Sequence, residues 1–166
     1  LTGLGNARYL KQRLEKSLQH VAARGGTLYY VLAGIDNMQP LIEQHGRTAH
    51  KELLRGIAGH LQQLVRPLDV LTRLDGNHFA LLAHSADQRE SSPNSFKRLY
   101  DGLNLKSFQT RAGFINLSAG ISLISLTQHS LPIDSEHLIH LAAQQLPHSY
   151  RKRDMVSLHL NAPGPL

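Results

Sequence analysis

The sequence predicts an α+β domain with helices packed on one face of a mostly antiparallel sheet. Three observations point there: two long amphipathic helical stretches, a nearly all-apolar strand between them, and a hairpin signal after the second. At 166 residues the chain is long enough for one domain with its own core. Hydrophobic residues make up 41% and charged residues 18%, which excludes a disordered chain. No run of about 18 apolar residues occurs, so no membrane-spanning helix is expected. There is no cysteine, which excludes a disulfide framework, a thiolate zinc site, an iron–sulfur cluster and a cysteine nucleophile, and suits a cytoplasmic location.

Apolar residues at Leu10, Leu14, Leu18 and Val21 mark one face of a first helix, and Gly25-Gly26 stops it. Thr27–Ile35 is β-prone and almost wholly apolar, the pattern of a central strand covered on both faces, with Gly34 interrupting it near its end. A short helical stretch follows at 41–45. Leu53, Leu54, Ile57, Leu61, Leu64 and Val65 then define a long amphipathic helix ended by Pro67. Two short apolar runs, 69–74 and 78–83, flank Asp75-Gly76-Asn77, a hairpin signal in which Gly and Asn can take positive φ at low cost. Residues 91–94 read as loop, 95–103 as a third helix and 113–124 as one long strand. Residues 134–146 read as a fourth helix stopped by Pro147, and 155–160 as a last strand. A β-α-β-β-α-β core of this order is the ferredoxin-like arrangement. A doubly wound Rossmann fold is the weaker alternative, because Gly3-x-Gly5 does not follow a strand. The start at Leu1 and the tail NAPGPL at 161–166 predict a domain cut from a longer protein, with the tail as linker.

Five segments carry a resemblance: LTGLGNARYL (1–10), GIDNMQPLIEQHGR (34–47), RPLDVLTRLDGNHFALL (66–82), INLSAGIS (115–122) and HLIHLAAQQL (137–146). In order and spacing, residues 1–160 resemble the GGDEF domain. The resemblance implies a ferredoxin-like palm with extra helices, related to nucleotide cyclases and polymerases. Active members join two GTP molecules into cyclic di-GMP, each GTP held by one half of a homodimer, and many are joined to an EAL phosphodiesterase domain. Such chemistry needs metal ions that bridge phosphates, and hence carboxylates at fixed places. The family's first metal-binding Asp is matched by Gly34. Its signature is matched by Asp75-Gly76-Asn77-His78-Phe79, with Asn77 and His78 at the two acidic positions. Asp36 is retained, but the Lys directed at the GTP phosphates is matched by Gln39, and the guanine-reading Asn and Asp by Ile42 and Lys51. Metal, phosphate and base contacts are missing together. The resemblance therefore implies a degenerate domain with no catalytic residue, no metal and no cofactor.

A second family feature survives. Arg66-Pro-Leu-Asp69 stands at the spacing of the RxxD motif that binds product cyclic di-GMP, and Arg98 lies near where the family places a supporting arginine. A guanidinium grips a phosphate or guanine edge through two hydrogen bonds, and a carboxylate accepts from the guanine N1–H and amino group. The implied role is a regulatory module that binds cyclic di-GMP at Arg66, Asp69 and Arg98 and signals to a neighbouring domain. The alternative is a basic interaction domain binding RNA or a protein without a nucleotide ligand. It rests on 18 Lys+Arg against 12 Asp+Glu and on the run Arg151-Lys152-Arg153. Aromatic residues are only 5%, which weakens base stacking as a mode of RNA recognition. His45, His50 and His137-x-x-His140 lack acidic or cysteine company and read as solvated side chains. His78 is expected to fill the vacated pocket or to point to solvent.

Overall fold

The computed structural model describes residues 2–86 and 96–161. The loop expected at 91–94 and residues 162–166 of the expected linker lie outside the described residues. Helix α1 (Ala7–Arg24) begins at Asn6, whose side-chain oxygen accepts from Tyr9 N at 3.1 Å. It ends at Gly25 and Gly26, at φ 79° and 83°. Strand β1 (Thr27–Ile35) is buried along its whole length. Helix α2 (Met38–Leu64) takes up both helical stretches expected after β1, and bends between them at Gly46, whose φ of 86° suits glycine. Strands β2 (Val70–Asp75) and β3 (His78–Ser85) precede helix α3 (Lys97–Asn104), and β4 (Ser107–Thr110), β5 (Gly113–Asn116) and β6 (Ala119–Leu126) follow it. A 3-10 turn, helix α4 (Ser135–Lys152) and strand β7 (Val156–His159) complete the order.

The main sheet runs β2-β3-β1-β6-β7. Strand β1 is antiparallel to β3 and β6, and β7 is parallel to β6. This is the expected β-α-β-β-α-β core with β7 added at one edge. The helices, however, do not share one face. Tyr29, Val31, Ala33 and Ile35 point toward α2 and α3, packing with Ile57, Leu61 and Leu103. Leu28, Tyr30 and Leu32 point the other way, toward Leu10 and Leu14 of α1 and Leu138 and Ala142 of α4. The reason is visible in β1 itself: a strand apolar at every position needs cover on both sides.

Two further expectations are corrected, and the expected β2–β3 hairpin closes without positive φ. The 113–124 segment is not one strand. β5 pairs with β4 in a separate hairpin, and the chain breaks pairing at Leu117 and Ser118. There two asparagine side chains replace the ladder: Asn37 Oδ1 accepts from Ser118 N at 2.9 Å, and Asn104 Oδ1 accepts from Ala119 N at 2.9 Å. In the β2–β3 turn neither Gly76 nor Asn77 has positive φ. Asp75 Oδ1 accepts from Asn77 N at 2.9 Å, and a register shift between Arg73 and Asp75 absorbs the extra residue. Pro147 lies inside α4 rather than ending it. The helix runs to Lys152 and closes on Arg153 at φ 56°.

Candidate functional site

The carboxyl end of β1 meets β3 and β6 side by side, with Gly34 opposite His78 on one flank and Gly120 on the other. A Cβ built on Gly34 would fall on the Tyr150 hydroxyl and 2.7 Å from Leu146 Cδ2. A Cβ on Gly120 would lie 2.6 Å from Tyr150 Cδ1 and 2.7 Å from Cε1. The Tyr150 side chain therefore rests on both glycines. Burial, reinforced by the charges of Asp36 and Asp75, pushes its hydroxyl up to about 12, so it stays protonated at neutral pH. His78 turns its Nδ1 onto the Asp75 carboxylate at 2.9 Å. Burial alone would raise Asp75, but the Asn77 N–H and the His78 ring outweigh it and hold the carboxyl below its usual range. His50 Nε2 lies 3.4 Å from Gly76 O, and Phe79 is buried in the core.

Among the described residues no group of three or more His, Asp or Glu side chains could hold a metal ion. Of the acids at this end, Asp75 is already bonded to its own turn, and the space at Gly34 is filled. That donor set does not fit magnesium, which takes carboxylate oxygens in octahedral geometry. The remaining positions aligned with nucleotide contacts are spread over α2. Gln39 Nε2 donates to Glu43 Oε1 at 3.2 Å, Ile42 packs against the apolar core, and Lys51 is exposed.

The structure does gather Arg66, Asp69 and Arg98. All three border a cleft of about 260 Å³ with Tyr29, Phe96 and Leu99. Arg66 and Asp69 also line a broader cleft of about 610 Å³ beside Leu4 and Tyr9. The Asp69 carboxylate accepts from Arg66 N at 2.8 Å and from Arg66 Nε at 3.3 Å, with its side chain only 6% exposed. The Arg66 side chain is 58% exposed, and its guanidinium also donates to His84 O at 3.1 Å. The motif is thus a folded turn whose guanidinium still faces solvent. The basic run 151–153 is the end of α4: Arg151 bonds His148 Nδ1 at 2.9 Å, and the adjacent Asp154 pairs with Lys97 at 2.9 Å. No helix among the described residues is long and apolar enough to cross a membrane.

Sequence reasoning missed Tyr150, Gly120 and Leu146. The available signal was a pair of glycines inside two apolar strands, a pattern that marks close approach by another group.

Fold and sheet order define the class first: an α+β ferredoxin-like palm, the fold of known GGDEF-domain structures. Residues 1–156 match the family described as "Diguanylate cyclase, GGDEF domain", and the chain belongs to that family. It is 29% identical over 124 residues to diguanylate cyclase DgcP of Pseudomonas aeruginosa, covering 74% of this chain and 18% of that protein. It is 26% identical over 156 residues to the bifunctional diguanylate cyclase/cyclic di-GMP phosphodiesterase MucR of the same organism, covering 90% of this chain and 22% of MucR. The chain thus spans about a fifth of the length of these relatives. Among solved structures, the FimX GGDEF domain from Pseudomonas aeruginosa superposes with a TM-score of 0.83 at 18% identity, over 95% of this chain and 96% of that one. The GGDEF domain of DgcB from Caulobacter crescentus, in complex with cyclic di-GMP, gives 0.80 at 14% identity, over 96% and 92%.

Proposed function

We propose that this chain is a non-catalytic GGDEF domain, a regulatory module that binds cyclic di-GMP at Arg66, Asp69 and Arg98 and passes its state to a neighbouring domain. One observation carries the loss of catalysis. Where the family resemblance places a metal-binding Asp, a side chain on Gly34 would have to displace the Tyr150 hydroxyl and Leu146 Cδ2, which now occupy that space. Asn77 and His78 stand at the signature's acidic positions, and neither brings negative charge to the triphosphate.

The ligand reading draws support from the cleft that Arg66, Asp69 and Arg98 share, two guanidinium groups and a carboxylate suited to phosphates and a guanine edge. The DgcB structure supplies the ligand class by likeness of fold. The bifunctional name of MucR supports a cyclic di-GMP phosphodiesterase domain as the neighbour. Binding requires Asp69 to trade its bonds to Arg66 for the guanine N1–H and amino group.

Titration calorimetry with cyclic di-GMP tests the reading. The wild-type chain is expected to give a saturable heat that Arg66→Ala abolishes. No heat with the wild type, or equal affinity in the variant, would remove the ligand-sensing role.

A further inference from the structure

Gly34 and Gly120 face each other across β1 and β6, in the middle of the sheet, where glycine weakens a strand through backbone entropy and lost packing. Neither lies at positive φ, unlike Gly25, Gly26, Gly46 and Gly113, so the backbone does not call for glycine at either position. Space does. The Tyr150 ring lies over Gly120 and its hydroxyl end over Gly34, with Leu146 beside them, so one side chain accounts for both glycines.

Tyr150 reaches this place because α4 continues past Pro147. The proline lacks an N–H and so removes one helical bond, yet the last turn is held by the sheet. Ser149 Oγ accepts from Ile121 N at 2.9 Å and donates to Asp154 O at 2.6 Å. Ile121 precedes the stretch of β6 that pairs with β7, so the serine supplies the partner that the edge strand does not. Ring on the glycines and hydroxyl toward the charges of Asp36 and Asp75, Tyr150 closes the end of β1.

We infer that Tyr150, seated on Gly34 and Gly120, plugs the end of the cleft where the resemblance places a metal, so that restoring acids alone does not restore cation binding. The inference rests on the reading of this end as a lost metal site, and deepens it: the site is filled, not merely stripped of charge.

A thermal-melting cycle and a cation titration test the plug. Gly34→Ala and Gly120→Ala are expected to lower the melting temperature by roughly 3–10 °C, as overpacking does. In a Tyr150→Ala background the same changes are expected to cost markedly less, the remainder coming from Leu146 Cδ2 at 2.7 Å from the Gly34 Cβ and Ser149 Oγ at 3.1 Å from the Gly120 Cβ. In calorimetric titration with Mn²⁺, the triple variant Gly34→Asp, Asn77→Asp, His78→Glu is expected to bind at least about tenfold more tightly when Tyr150→Ala is added. Equal costs of the glycine substitutions in both backgrounds would overturn the plug, as would equal Mn²⁺ affinity with and without Tyr150. Should the triple variant fail to fold, the melting cycle of single substitutions decides alone. The non-catalytic reading fails by a different result, synthesis of cyclic di-GMP from GTP by the wild-type chain, which leaves the melting cycle untouched.

Discussion

At the end of β1 an aromatic side chain, Tyr150, covers two strand glycines, whereas at the turn before β2 an arginine and an aspartate pair, with clefts of about 260 and 610 Å³ open beside them. The first region is packed from within, with Tyr150 over two strand glycines. The second kept a charged pair whose members bond each other but leave one guanidinium face in water. The contrast teaches where to look for remaining function. Packed and covered side chains contribute to stability, while the exposed Arg66 side chain contributes little and is free to meet a ligand.

Substitutions in the two regions should therefore differ in kind. The largest effect is expected for Tyr150→Ala, at about 2–4 kcal/mol in urea unfolding, the range for removing an aromatic side chain from a packed position, scaled for partial exposure. Asp69→Ala is expected to cost about 1–2 kcal/mol, since its carboxylate accepts from the Arg66 backbone N–H and is almost fully covered. Arg66→Ala leaves that backbone acceptor in place and should cost less than about 1 kcal/mol, as exposed ion pairs do. A cost for Arg66→Ala above that of Asp69→Ala would mark the arginine as structural and break the comparison.

Acid titration sharpens the same contrast. Asp75 is held below the usual carboxylate range, so its contribution is present at neutral pH and is lost as pH falls through that lowered value. Asp75→Asn should flatten the acid limb of melting temperature against pH. A second pH effect comes from His60, between α2 and α3, where burial and then Lys106 lower the imidazole below its ordinary value. Both its ring nitrogens are shielded from solvent, and the Gly102 backbone offsets the lowering only in part. Neutral His60 therefore favours folding above the ordinary imidazole range, and that contribution declines as pH drops below it. His60→Gln should remove that upper part of the decline. The smallest effect is expected for Lys97→Ala, which breaks an exposed pair with Asp154 and should leave the urea midpoint unchanged.

Much of the fold was legible because it is written in local signals. The spacing of Leu10, Leu14, Leu18 and Val21, the glycines that stop α1, and the unbroken apolar run of β1 all lead to the observed elements. What escaped depends on partners far along the chain. The break at Leu117 and Ser118 is made by Asn37 and Asn104, and Pro147 is overridden because Ser149 and Tyr150 dock on β6. The site divided in the same way. Arg66, Asp69 and Arg98 could be aligned by motif and do meet at one cleft. Tyr150 could not be found by motif, because its role shows only in the glycines beneath it.

Chromatographic analysis of the chain incubated with GTP and Mg²⁺ tests the central claim most directly. A β1 end filled by Tyr150 and lacking acids at Gly34, Asn77 and His78 predicts that GTP is recovered unchanged. Accumulation of cyclic di-GMP above a no-protein control would contradict it.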